Sequence, residues 1–309
     1  MPFAVLTPEI ACDLLVKAGI NITPQFVQVQ AREDCWIVDL PGNRIAWFAA
    51  SDKGCSRLTT ERRVFRLLSE RCSFAVPHVL FENPFLDFEI RSKVPGVSGA
   101  ARMFNEARNS ELTRRLGATL GAILAEQHSC IHIGDVADWL PKQPGWPESW
   151  EWVSERLGRV VDDAKLIVDA QTVMDAYTKE SGTDADCVLV HTDVGFHNFS
   201  VDPKSGTVLG IFDYEGAAWA DRHHDFRYLA FSQESDELLD AALSVYEPAV
   251  GRAIKRDRVF LYNAACAISF LANRAGIQPE QSWCGRTLVE DLKWCRHAIG
   301  RVLGAPSNA

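Results

Sequence analysis

The chain of 309 residues has nine cysteines, yet no two of them stand in CxxC spacing. Neither a thiolate zinc site nor a dithiol redox motif can be drawn from them, and single scattered thiols fit a reducing compartment. No run of about eighteen apolar residues occurs, as a membrane-spanning helix needs. The N-terminal "MPFAVLTPEIACDLL" has no basic region ahead of its apolar residues. The reading is a protein neither exported nor membrane-bound, expected in the cytoplasm. There is also no Pro/Gly/Ser-rich block and no repeat period, and with 47% hydrophobic and 24% charged residues disorder and solenoid architectures find no support. Only the "GAPSNA" end reads as loose.

Positive charge is scarce in one part of the chain. Residues 1–94 carry 11 Lys+Arg and 11 Asp+Glu, so the whole net charge of −9 lies in residues 95–309. Such a surface argues against nucleic acid and is compatible with a cationic small-molecule ligand or with solubility alone.

"TPEIACDLLVKAG" reads as a helix with Thr7 as N-cap, Pro8 in the first turn and Gly19 past the end. The β-like runs "FVQVQA", "CWIVDL" and "RIAWFAA" follow, the last two joined by the turn "PGN". An amphipathic helix, "CSRLTTERRVFRLLSER", carries Glu61 in its middle, and "HVLFE" and "LDFEIRSKV" complete about five strands before "PGVSGA" interrupts the pattern. A boundary is placed there: a small antiparallel sheet lobe with one helix over 1–94, and a mainly helical lobe over 95–309, an α+β chain. In the second, "WEWVSERLGRVVDDAKLIVDAQTVMDAYTKE" reads as one long helix.

Inside that helical part lies "VLVHTDVGFHNFSVDPKSGTVLGIFDYE", which reads strand, loop, strand, turn, strand. It sets His191, Asp193, His197 and Asn198 on a loop held by apolar strands, with Asp213 at the end of the last one. Phosphoryl transfer asks for this set: one Asp to orient and accept the proton of a hydroxyl, and an Asn and a second Asp to hold the magnesium that bridges nucleotide phosphates.

"HTDVGFHN" resembles the HxDxxxxN catalytic loop, and "GIFDYE" the metal-binding segment, of the aminoglycoside phosphotransferase and choline kinase group. "WADRHHDF" is similar to the ADRxxD stretch of aminoglycoside 3'-phosphotransferases, and "LAEQH" at His128 to the end of their first large-lobe helix. The resemblance implies a protein-kinase-like two-lobe fold with Asp193 as catalytic base, His191 bracing the loop, and Asn198 and Asp213 as Mg²⁺ ligands, with ATP or GTP as co-substrate. His191 reads equally as a buried core histidine, and Asp221 and Asp225 as ties of the loop and of a helix start. His197 has no counterpart in the family.

Three departures stand out. Thr192 replaces the usual Gly, a small cost if φ is negative there. The hairpin "FVQVQAREDCWIV" has no glycine to form a flap over phosphates. The strand position that normally carries the phosphate-binding lysine, counted from Glu61, is Trp47, and no residue from Ile45 to Ser51 is basic. Glu61 is then either a solvated helix charge or the partner of a relocated cation, drawn from Arg44, Lys53, Arg91 and Lys93, with Trp47 packing on the nucleotide. The enzyme reading, a kinase for the hydroxyl of an amino-bearing, antibiotic-type acceptor or alternatively of choline, ethanolamine or a macrolide, stands beside a pseudokinase-like binding module. Glu215 and Trp150, within a tryptophan-rich segment, are the candidate acceptor contacts.

Overall fold

The fold is described from a computed structural model, over residues 5–83, 88–98, 110–180, 184–230, 235–283 and 285–304. The chain divides into two compact units, residues 1–100 with 198–217, and residues 101–197 with 218–309. The "GAPSNA" end beyond Gly304 lies outside the described residues.

In the first unit, Thr7 caps α1 (Pro8–Lys17), its Oγ1 accepting the Ile10 N–H at 3.3 Å. The sheet runs in the order β1 (Val29–Ala31), β2 (Cys35–Leu40), β3 (Arg44–Ala49), β5 (Phe88–Ser92), β4 (Val79–Asn83), antiparallel throughout. Gly42 and Asn43, at φ 77° and 58°, make the β2–β3 turn that "PGN" announces. Because strand side chains alternate, Val38, Ala46, Phe48, Phe88 and Ile90 cover one face and pack with Leu14 and Leu15 of α1. Trp47, Cys35 and Ala49 cover the other, with Leu58 of α2 (Asp52–Arg71). The run "FVQVQA" forms only the short β1, since Pro24–Phe26 take a 3₁₀ turn. A second sheet, β6 (Val97–Ser98), β8 (Phe199–Val201) and β9 (Val208–Ile211), completes the unit.

The second unit is helical. α3 (Ser110–Cys130) and α7 (Glu237–Val250) lie so close that a Cβ on Gly117 or Gly121 would stand 2.4 or 2.2 Å from a carbonyl oxygen of α7. The stretch expected as one long helix is two, α5 (Trp150–Leu157) and α6 (Ala164–Lys179), after the single turn α4 (Ile133–Val136). Gly158 ends the first, and Asp163 caps the second by accepting the N–H groups of Lys165 and Leu166. α8 (Arg256–Asn273) is the central helix: Ala264, Ala265, Ala267 and Ile268 are fully buried, and α5, α6 and α9 (Leu288–Leu303) pack around it.

β7 (Cys187–Val190) pairs with β10 (Ala218–Asp221), a strand the sequence pattern did not disclose, and the segment Arg222–Phe226 after it is wholly buried. Several of its polar groups bond to neighbouring elements. Asp221 accepts from Arg258 at 3.1 Å and Tyr262 at 2.8 Å, and Arg227 donates to Nδ1 of His224 at 2.9 Å. His224 also stacks on Tyr262 at 4.3 Å. Burial, and then the Arg227 charge, push the His224 imidazole down to about 3. The unfolded chain takes up that proton near pH ~6.5 while the folded chain refuses it, so stability is lost as pH falls from there towards 3. Thermal melts should therefore show Tm dropping between pH 7 and 4, and His224→Phe, which keeps the stack on Tyr262, should lower Tm at neutral pH but flatten that drop.

Candidate active site

In the helical unit the apolar β7 ends at Val190 and the chain turns. The Asp225 carboxylate accepts the N–H of His191 at 3.0 Å and that of Thr192 at 2.7 Å. It is itself held by Gln127 Nε2 at 3.3 Å and by His128 Nε2 at 3.0 Å, whose Nδ1 meets the Tyr246 hydroxyl at 2.8 Å. Arg227, buried beneath, donates to the Thr192 carbonyl and to the Trp146 carbonyl. Thr192 lies at φ 74°, so the condition for a small cost is not met: the turn that brings both N–H groups onto one carboxylate needs a left-handed residue, and a β-branched one is strained there.

Asp193 follows, its N–H donating to Nδ1 of the fully buried His191 at 3.2 Å. Burial would raise the Asp193 carboxyl, but the hydrogen bond and charge of His197, with His191 and Arg227, hold it below the ordinary carboxylate range. At neutral pH it is an ionised acceptor.

In the sheet-containing unit the β8–β9 hairpin brings Asn198 and Asp213 to one end. Asn198 precedes β8 and its carbonyl accepts the Phe212 N–H at 2.9 Å, next to Asp213. Asp213 is exposed at φ 70°, a conformation Asp tolerates better than most residues. Tyr214 then donates its N–H to Glu61 Oε1 at 2.9 Å, and its ring meets Phe65 edge-on at 6.0 Å.

Glu61 is thus a buried carboxylate, and its second oxygen accepts from Arg91 Nη1 at 2.5 Å. Of the four candidate cations only Arg91 reaches it. Arg44 donates to the Pro41 carbonyl at 2.8 Å, Lys53 pairs with Glu33 and Asp34, and Lys93 pairs with Asp39 at 2.6 Å. On β5, Arg91 is also bonded to Glu89, and its guanidinium lies 5.6 Å from the Trp47 ring and 5.0 Å from the Phe65 ring. Trp47 is only 6% exposed, sealed by Cys35, Ala49 and Leu58. The Nη2 of Arg91 is buried without a hydrogen-bond partner among the described residues.

The two candidate acceptor contacts are engaged within their own units. Glu215 pairs with Arg57 at 3.4 Å, and Arg57 with Asp34 at 2.9 Å, so its carboxylate already has a cation. Burial raises its carboxyl. Trp150 is partly buried against the core of α6, α8 and α9. Arg227 and Arg57 are partners that composition gave no reason to single out. Arg227 could have been sought from its place two residues after Asp225 in an otherwise apolar context.

Among the described residues no group of three or more His, Cys, Asp and Glu side chains is placed to hold a metal ion. The Asn198 and Asp213 pair offers hard amide and carboxylate oxygens at one hairpin end, which fits Mg²⁺ completed by phosphate and water oxygens.

A small antiparallel sheet unit with one long helix, a helical unit, and an HxDxxxxN loop followed by an Asp-ended strand define the class: a protein-kinase-like phosphotransferase with an alcohol group as acceptor. The chain belongs to the phosphotransferase enzyme family, whose profile (APH) matches residues 51–257. Among solved structures it is similar to the GDP and kanamycin complex of APH(2")-IIia, with 16% identity, a TM-score of 0.70, and 97% of this chain and 99% of that chain covered. It is also similar to the streptomycin–ATP complex of APH(2")-IIa, with 15% identity, TM-score 0.63 and coverage of 96% and 99%. For macrolide 2'-phosphotransferase MphH from Brachybacterium faecium the values are 16%, 0.60, and 97% and 100%. No curated protein sequence matches the chain. No helix among the described residues is long and apolar enough to cross a membrane.

Thr192→Gly removes the strained β-branched residue and keeps both N–H groups on Asp225. Denaturant unfolding should show it more stable than the parent by about 1 kcal/mol, the lower end of the cost of such strain.

Proposed function

We propose that this phosphotransferase moves the γ-phosphate of MgATP or MgGTP to a hydroxyl of a small, amino-bearing acceptor of the antibiotic type. The observation that carries the reading is the buried Glu61–Arg91 pair with its unbonded Nη2. An unsatisfied buried guanidinium N–H is costly, and a nucleotide phosphate oxygen is the acceptor that satisfies it. The pair supplies from β5 the cation that β3 lacks, which supports an enzyme over a pseudokinase-like module. Trp47 takes the place of a supporting wall for that cation, and the half-buried Lys93, engaged with Asp39, has no part in it.

In this reading Asp193 accepts the proton of the acceptor hydroxyl as its oxygen bonds to the γ-phosphorus. The bond from that phosphorus to the β,γ-bridging oxygen breaks, and the nucleoside diphosphate leaves. Asn198 and Asp213 would hold Mg²⁺, which neutralises the phosphate charge when bound. His191 braces the loop behind Asp193. Residues 1–94 would serve nucleotide binding and residues 95–309 the acceptor.

The solved relatives include complexes with kanamycin and streptomycin and a macrolide phosphotransferase, which supports an antibiotic-type acceptor. The acidic excess of residues 95–309 supports an amino-bearing one. One observation favours a macrolide instead: Glu215 already has Arg57 as its cation.

Asp193→Asn should lower phosphate transfer on the order of 10² to 10⁴-fold while nucleotide affinity, measured by calorimetry, stays within a few-fold. Transfer at the parental rate would remove the assignment of the base. Arg91→Lys keeps a charge between Glu61 and Glu89 but loses the planar fork. It should weaken MgATP or MgGTP binding by about 1.5–3 kcal/mol, a charged hydrogen bond's worth, and unchanged affinity would place the phosphates elsewhere.

A further inference from the structure

Arg227 is a fully buried cation, only 1% exposed. Its Nη2 donates to the Thr192 carbonyl, and its Nη1 to the Trp146 carbonyl at 3.0 Å and to Nδ1 of His224 at 2.9 Å. All three acceptors are neutral. The Nε is buried without a hydrogen-bond partner, and among the described residues no carboxylate stands within ion-pair distance of the guanidinium. A guanidinium taken out of water with no opposite charge beside it costs free energy, because neutral dipoles replace only part of its hydration. For stability alone an apolar residue of similar volume would serve better here.

The titratable groups around it are His224 and Tyr228 on its own segment, Tyr177 on α6, Cys266 on α8 and Asp193 on the loop. Burial drives the Cys266 thiol up to about 11 and both phenols upward, and it drives His224 down to about 3. At neutral pH these four are uncharged, and Asp193 is the anion of the set. Against its own burial, the charges of His197, His191 and Arg227 help to hold its carboxyl below the ordinary range.

The backbone joins the two residues. The carbonyl that accepts Nη2 belongs to the peptide bond between Thr192 and Asp193, and the N–H of that same peptide donates to Nδ1 of His191 at 3.2 Å. Both polar groups of the peptide that carries Asp193 are thus fixed, one of them by a cation. Arg227 is itself held from α8, where Nδ2 of Asn263 donates to its carbonyl at 2.8 Å.

We propose that Arg227 is a positioning residue for phosphoryl transfer: it clamps the peptide that carries Asp193 from the buried side, and the ionised Asp193 is the counter-charge of this cation that has no bonded carboxylate. Asp193 then has two tasks, to take the proton of the acceptor hydroxyl and to offset a buried charge. The loop is most stable with Asp193 ionised, the state in which it can accept a proton. The inference rests on Asp193 being the proton acceptor.

The test uses the full chain, thermal melts at neutral pH, and phosphate transfer from MgATP and MgGTP to kanamycin and to erythromycin, with the fastest pair for the parent carried through the variants. Asp193→Asn, which removes the charge and keeps the shape, should lower the Tm. In an Arg227→Met background the same substitution should lower it less, by at least about 2 °C, because the cation it leaves unbalanced is gone. Arg227→Met alone should lower kcat about 10- to 100-fold with nucleotide KM unchanged, the cost of a misplaced reacting group. Arg227→Lys keeps the charge but not the planar fork that spans two carbonyls. It should retain the full Tm drop on Asp193→Asn and recover part of kcat.

Equal Tm drops for Asp193→Asn with and without Arg227→Met, or parental kcat in Arg227→Met, would overturn the proposal while leaving Asp193 as base. Should Arg227→Met not fold, the first measurement still decides: an Asp193→Asn chain as stable as the parent, or more so, overturns it. Full activity of Asp193→Asn would instead remove the reading on which it rests. No turnover of any pair by the parent would count against that reading too, and the melts would then decide the charge coupling by themselves.

Discussion

The loop chemistry of the helical unit depends on one buried carboxylate. Asp225 is fully buried and takes hydrogen bonds from two successive backbone N–H groups, a glutamine amide and a histidine ring. In low dielectric such charge-assisted bonds are strong, and leaving any one donor orphaned is expensive. This single anchor explains why β7 stops at Val190 and why Thr192 tolerates a left-handed backbone. It also explains why the side chain of Asp193, the next residue, is aimed outward from an otherwise buried turn. Gln127 and His128 hold Asp225 from α3, and Arg227 pins the Thr192 carbonyl from below. The half-buried carboxylate is thus mounted on a rigid base.

Glu61 does parallel work in the sheet-containing unit. One oxygen takes the Tyr214 N–H beside Asp213 and the other takes Arg91, so a single helix residue ties α2 to β5 and to the hairpin end that carries Asn198 and Asp213. A buried ion pair of this kind adds little net stability, because desolvation offsets the attraction. Its value lies in fixing one arrangement of three elements. Arg57 does a similar thing at the surface, joining α2 to Asp34 and Glu215.

Much of this was written plainly in the sequence where local chemistry decides. The cap at Thr7, the "PGN" turn and the strand–loop–strand pattern around Asp193 follow from short-range rules, and the order of His191, Asp193, Asn198 and Asp213 was enough to suggest phosphoryl transfer. What stayed hidden needs tertiary contact. The break at Gly158–Asp163 is a helix-period stretch interrupted by a cap that periodicity overlooks. β10 is only four residues long and exists by pairing with β7. Thr192 at positive φ runs against its own preference and is set by Asp225, 33 residues away. The choice of Arg91 among four candidate cations required the register of β3 on β5, in which Arg91 stands opposite Ile45, and its guanidinium lies near the Trp47 ring.

That register has a pharmacological consequence. The cation paired with Glu61 is a guanidinium on β5, not a primary amine on β3. Electrophiles that acylate or sulfonylate a strand lysine work because an ammonium group can lose its proton and become a nucleophile. A guanidinium held between Glu61 and Glu89 keeps its proton far above any working pH. Covalent reagents built on that lysine chemistry would find no nucleophile at the partner of Glu61, so a compound meant to block this chain there must rely on shape and reversible contacts.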